Sequence, residues 1–138
     1  MAIGLDHTIL EVEDLAESRT FYRDVLGLEY KGKDGPFEGF WITPDLALEL
    51  YDEWPVTGSR HLAFSMDRLT FEATFERIRN AGIEYGDGPS QTANMRGPGP
   101  SSGVHGLTDS VYFKDPNGHI LEILTYERSD GFDGGLDS

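Results

Sequence analysis

Cysteine is absent from the 138 residues. That excludes a disulfide framework, a thiolate metal site and a cysteine nucleophile. Lysine is scarce, three against eight arginines, and the 11 bases face 25 acids for a formal charge of −14. Such a balance argues against nucleic acid and anionic membrane surfaces, whose phosphates it would repel. No apolar run approaches the roughly 18 residues of a membrane span, and the N-terminus lacks the charged-then-apolar pattern of a signal peptide. A cytoplasmic protein is the expectation, and the acidic excess also fits a halophilic source. The length suits one domain that buries roughly two-thirds of the surface of its unfolded chain.

The most informative stretch is residues 110–127, SVYFKDPNGHILEILTYE. Two apolar runs flank Asp115-Pro116-Asn117-Gly118, which is tight-turn chemistry. After the turn Leu121, Ile123 and Thr125 alternate with Ile120, Glu122, Leu124 and Tyr126, as on the two faces of a strand. Glu122 therefore stands in the middle of an apolar face. Either that face is wet, or a cation or hydrogen-bond donor meets the carboxylate there.

The remainder of the chain reads as one unit written twice. Residues 5–12 alternate as a strand, with His7 sharing a face with Leu5, Ile9 and Glu11. A helix follows, opened by the capping pattern Asp14-x-x-Glu17 and stopped by Gly27. Strand-like runs at 28–31, 39–43 and 46–51 come next, the last placing Glu49 between Ala47 and Tyr51 on one face. A linker at 52–60 leads into a second strand at 60–66, with His61, Ala63 and Ser65 on one face. A helix from about Thr70, stopped by Gly82, and a strand from Ile83 complete the recurrence. His61 follows His7, and Phe75 follows Phe21, by 54 positions; Tyr85 follows Tyr30 by 55. A period of that size in a chain this short means two copies, not a solenoid. Residues 86–106, rich in Gly, Pro and Ser, read as a long loop of the functional kind, a flap that carries Arg96 and His105.

Four polar residues thus occupy mid-strand positions where an apolar side chain belongs: His7, Glu49, His61 and Glu122. Two imidazoles and two carboxylates suit a borderline divalent ion such as Zn²⁺, Ni²⁺, Fe²⁺ or Mn²⁺. Either histidine alone would pass for an ordinary half-buried side chain. Its repetition at one place in two copies points instead to a site.

LDHTILEVEDLAESRTFYRDVLGLEY, LALELYDEW, RHLAFSMD and VYFKDPNGHILEI together resemble the vicinal oxygen chelate superfamily, which includes glyoxalase I, extradiol dioxygenases, fosfomycin-resistance transferases and bleomycin-binding proteins. The resemblance implies an α+β fold of two tandem βαβββ modules, about 3–52 and 60–127, whose mixed sheets form a cup around the metal. Residues 128–138 would be a flexible acidic tail. It also implies that His7, His61 and Glu122 are the shared ligands and Glu49 the fourth, on one Zn, Ni, Co, Mn or Fe ion. A homodimer is implied as well, with His7 and Glu49 of one chain joining His61 and Glu122 of the other.

Three reactions follow from the resemblance. A glyoxalase I-like isomerase or lyase, in which Glu49 or Glu122 shuttles the proton of an enediolate, leads. Its departure is Glu11, which stands where glutathione-using members tend to carry Arg. An extradiol dioxygenase is next: Gly103-x-His105, Val111-Tyr112, Asp115-Pro116-x-Gly118 and Glu122 fit its signature, making His105 and Tyr112 contacts of a catecholate. No acid–base His lies between His7 and His61, however. A fosfomycin-type thiol transferase comes third, with Arg96, Lys31 and Lys33 as its basic residues. A non-enzymatic small-molecule binding protein is the alternative outside enzymology.

Overall fold

Strand β1 (His7–Glu11) runs parallel to β4 (Leu46–Tyr51), pairing His7 with Ala47 and Ile9 with Glu49. Between them in sequence lie α1 (Leu15–Thr20), β2 (Glu29–Asp34) and β3 (Phe37–Thr43). The sheet order is β1-β4-β3-β2, and every pairing except β1 with β4 is antiparallel. These coordinates come from a computed structural model that describes residues 2–129. The chain divides into two compact units, Met1–Gly58 and Ser59–Ser138.

Side-chain alternation separates the two faces of the first sheet. Leu10, Leu48, Leu50 and Phe40 are buried, together with Val12 and Tyr22. Each such side chain contributes roughly 1.5–3 kcal/mol by leaving water. The other face carries His7, Ile9, Ala47 and Glu49. Asp14 caps α1 by accepting from the Glu17 backbone N–H at 3.0 Å. The helix then widens into a π-type turn, Phe21–Val25, in which the Leu26 N–H reaches the Phe21 carbonyl. Gly27, at φ 81°, ends it.

The second unit repeats this topology. It contains β5 (His61–Ser65), α2 (Arg68–Asn80), β6 (Tyr85–Gly86), β7 (Gly99–Gly103), β8 (Gly106–Lys114) and β9 (Ile120–Thr125). The order is β5-β9-β8-β6, with β5 parallel to β9 and β7 added along β8. Strand for strand, β1, β2, β3 and β4 correspond to β5, β6, β8 and β9. Tyr30 opposite Phe40 and Tyr85 opposite Phe113 mark the same place in both sheets. The α+β fold of two βαβββ modules is what the structure shows.

Two expectations are corrected. Helix α2 begins at Arg68 rather than near Thr70, because Asp67 caps it by accepting from the Thr70 N–H at 2.8 Å. Residues 86–106 are not a continuous loop: Gly99–Gly103 is a strand hydrogen-bonded to the first half of β8, which itself starts at Gly106. Strand formation there rests on main-chain pairing, which Gly, Pro and Ser side chains do not advertise. The buried hydroxyls of Thr108 and Ser110 satisfy each other at 2.8 Å, so this polar part of β8 tolerates burial. The tail expected over 128–138 falls almost wholly outside the described residues. Ser129, just before that limit, donates its N–H to Asp109 at 2.8 Å.

Candidate functional site

In each unit one histidine and one glutamate share a sheet face on adjacent parallel strands. Glu49 stands opposite Ile9, two positions beyond His7; Glu122 stands opposite Ala63, two positions beyond His61. The offset is identical, so the repeat extends from the histidines to the carboxylates. Parallel pairing puts both members of a pair on one face with a diagonal step between them, as a shared ligand requires.

The carboxylates are buried in an unusual way. Glu49 is 9% exposed and Glu122 is 4%. In each, Oε2 is buried without a hydrogen-bond partner. Glu122 Oε1 lies 3.3 Å from His61 Nε2, and Glu49 Oε1 lies 3.5 Å from Lys31 Nζ. A buried carboxylate oxygen with no donor is strongly disfavoured unless a cation serves it. The same orphan atom at the same register position in both units fits a divalent ion, and imidazole beside carboxylate is a suitable donor set. Among the described residues no group of three or more His, Asp or Glu side chains capable of holding an ion occurs. Each unit by itself thus offers a pair of donors.

The histidines are more open: the side chains are 56% exposed for His7 and 46% for His61. His7 Nδ1 sits 2.8 Å from Asp6 Oδ2, leaving Nε2 free to face a ligand. A carboxylate behind an imidazole fixes the orientation of the ring. Sequence reasoning missed Asp6, although its adjacency to His7 was visible. His61 stacks on Tyr112, with centroids 6.1 Å apart and planes at 21°. Burial raises the Tyr112 phenol, the Ser101 hydroxyl opposes that shift, and the Glu122 carboxylate adds to it. The Ser101–Tyr112 hydroxyl contact is 2.9 Å.

His61 is held in register by the Asp115–His119 turn. Asp115 Oδ1 accepts from the backbone N–H groups of Asn117 and His119, both at 2.9 Å. His119, fully buried, accepts the Arg60 N–H on Nδ1 at 3.0 Å, and the Arg60 carbonyl takes the Ile120 N–H at 2.8 Å. The turn thus fastens the starts of β5 and β9 together.

The two sheets differ at the position facing each glutamate. Opposite Glu122 stands Tyr112; opposite Glu49 stands Gly39. A Cβ on Gly39 would lie 2.6 Å from Glu49 Oε2. The missing side chain leaves room for the carboxylate, and the first unit has a cavity of about 540 Å³ on this face. His7, Lys31, Phe37, Trp41 and Glu49 line it.

The other expected site residues are more scattered. Glu11 lies on the His7 face at the far end of β1, opposite Tyr51. Arg96 is exposed in the segment before β7, its N–H donated to Asn94 Oδ1 at 3.0 Å. His105 is in the exposed β7–β8 turn, its ring edge-on to Tyr126 with centroids 5.5 Å apart.

The family model for the Glyoxalase/Bleomycin resistance protein/Dioxygenase superfamily matches residues 4–123. The solved structure of oxidase ChaP-H2 is 36% identical at a TM-score of 0.74, covering 91% of this chain and 94% of that one. The metallothiol transferase FosB of Shouchella clausii is 25% identical over 91% of this chain and 82% of its own length. A probable lactoylglutathione lyase of Synechocystis is 27% identical, with 86% and 92% covered. No helix of the described residues is long and apolar enough to cross a membrane.

Proposed function

The chain belongs to the Glyoxalase/Bleomycin resistance protein/Dioxygenase superfamily, and on that footing we propose a divalent-metal-dependent enzyme of small molecules that carry two neighbouring oxygens. Its ion takes His7, Glu49, His61 and Glu122 as ligands. The observation that carries this is the repeated buried Glu Oε2 without a partner, at the same step from a histidine in both modules. A pair of donors is too few for a stable site, so the two kinds of pair serve one ion, in a homodimer whose chains each contribute both. When bound, the ion supplies Lewis-acid polarisation of the substrate oxygens.

The protein's own groups divide the remaining work. Asp6 orients His7, and Tyr112 with the Asp115–His119 turn orients His61. Glu49 and Glu122 hold negative charge in a buried setting, where it attracts a cation most strongly. Of the reactions open to the superfamily, oxidation of the substrate with dioxygen as the electron acceptor leads, because an oxidase is a relative at 36% identity while the transferase and lyase stand at 25% and 27%. His105 and Arg96 then act as outer contacts of the substrate. Glu49 favours a second reading, isomerisation or lyase chemistry. A carboxylate ligand there takes a proton from one carbon and returns it to the neighbouring one, and Glu11 contacts the substrate's distal end.

The test is reconstitution of metal-free protein with Fe²⁺ and Ni²⁺ separately, offering catechols and thiol–methylglyoxal adducts in parallel. Oxygen uptake with catechols in the Fe²⁺ form is expected. Isomerisation in the Ni²⁺ form without oxygen uptake reverses the order, and failure of both ions to bind removes the proposal.

A further inference from the structure

Lys31 is the one Lys or Arg among the described residues lining the cavity of the first unit, where it stands with Asp6, Asp34, Asp45 and Glu49. Its ammonium lies 3.5 Å from Glu49 Oε1 and 5.6 Å from the centroid of the Trp41 ring. Phe37, Gly39 and Trp41 alternate along β3 on one face, so two aromatic walls flank the gap that Gly39 leaves over Glu49. Phe37 is braced by Tyr51, stacked with centroids 4.8 Å apart and planes at 25°. In the second sheet Tyr112 occupies the place of Gly39, so this aromatic-walled space belongs to the first module.

We infer that Lys31 is a displaceable counter-ion: it neutralises Glu49 while the site lacks its ion, and once Glu49 serves that ion it receives an ionised hydroxyl of a planar aromatic substrate. The inference rests on the metal reading above and adds to it the residue that selects the substrate. A carboxylate cannot give its full charge to both an ammonium and a divalent cation. Metal loading at the unpartnered Oε2 therefore weakens the hold of Oε1 on Lys31 and frees the ammonium to turn to another anion, beside an aromatic face and inside an otherwise acidic cavity. An anionic oxygen entering there has this ammonium as its nearest protein cation, and Trp41 and Phe37 offer the ring apolar contact. A neutral ring gains only the weaker cation–π attraction and a neutral hydrogen bond, and a cationic one is repelled. Selection of ionised hydroxyaromatics over neutral ones follows from that asymmetry.

Lys31→Met keeps the aliphatic stem and removes the charge; Lys31→Gln is a second variant with the same purpose, and Lys31→Arg retains the charge. Co²⁺ titration by calorimetry measures ion binding without turnover, and 4-nitrocatechol titration of the Co²⁺-loaded protein reads substrate binding from its visible absorbance. With Glu49 released, Co²⁺ binds about fivefold more tightly to the Met and Gln variants at unchanged stoichiometry. The 4-nitrocatechol affinity of those variants falls about tenfold, while Lys31→Arg retains most of it. Equal Co²⁺ affinity in the Met variant and the unaltered chain overturns the inference, as does unchanged 4-nitrocatechol affinity. If the unaltered chain takes up no Co²⁺, the metal reading fails and this inference fails with it.

Discussion

Replacing Gly39 by alanine separates the geometry of the site from the stability of the fold. Gly39 has an ordinary strand conformation, so a methyl group adds no backbone strain, and alanine recovers roughly 0.5–1 kcal/mol of the entropy that glycine loses on folding. The new Cβ would sit 2.6 Å from Glu49 Oε2, 3.2 Å from Lys31 Cδ and 3.3 Å from the Glu49 carboxyl carbon. Both neighbours are far ends of flexible side chains, so they move rather than the sheet. Ordinary contact begins at 3.4 Å, and the carboxylate oxygen must retreat by about 0.8 Å to restore it. A ligand held away by that much loses much of its bond to a small ion, and disturbing the surroundings of a ligand typically weakens metal binding about 10- to 100-fold. Thermal unfolding of Gly39→Ala should therefore move by only a few degrees, while its Co²⁺ affinity by calorimetry drops at least tenfold. Wild-type Co²⁺ affinity in a folded Gly39→Ala protein would refute the reasoning, because Glu49 would then not be a ligand at the position observed.

Three further outcomes follow from the same contacts. A His7→Ala/His61→Ala double variant should lose the one-ion-per-chain stoichiometry in dialysis against Zn²⁺ or Ni²⁺, yet unfold within about 1 kcal/mol of the unaltered protein, since both rings are half exposed; retained stoichiometry rejects the ligand assignment. Glu38 is 2% exposed and meets Arg19 at 2.7 Å and the Tyr30 hydroxyl at 2.6 Å. Burial pushes its carboxyl upward, but Tyr30 and Arg19 together hold it below the usual value of 4.5. A depressed carboxyl stabilises the fold above about pH 4.5, and that share is lost as pH falls through the lower folded value. Glu38→Gln should accordingly flatten the acid side of a denaturant-midpoint curve, and an unchanged acid slope would count against it. Light scattering at micromolar concentration should give twice the 15.4 kDa of one chain; a monomer mass rejects the homodimer.

What the sequence by itself determined is local. Alternation with period two assigned His7, Glu49, His61 and Glu122 to definite faces, because successive side chains of a strand must point opposite ways. The Asp14 cap, Gly27 and Gly82 were legible because helix ends have their own chemistry, and the 54-residue recurrence disclosed two modules. Tertiary structure decided everything that depends on which strand lies beside which. The parallel pairing of β1 with β4 and of β5 with β9 turns two His-and-Glu coincidences into the same diagonal pair. Backbone hydrogen bonds are nearly blind to side-chain identity, so β7 hid in a Gly-Pro-Ser segment that carries no hydrophobic pattern. The antiparallel registers also set Gly39 opposite Glu49 and Tyr112 opposite Glu122. Nothing local to Gly39 distinguishes it from any other strand glycine; only the carboxylate packed against it does.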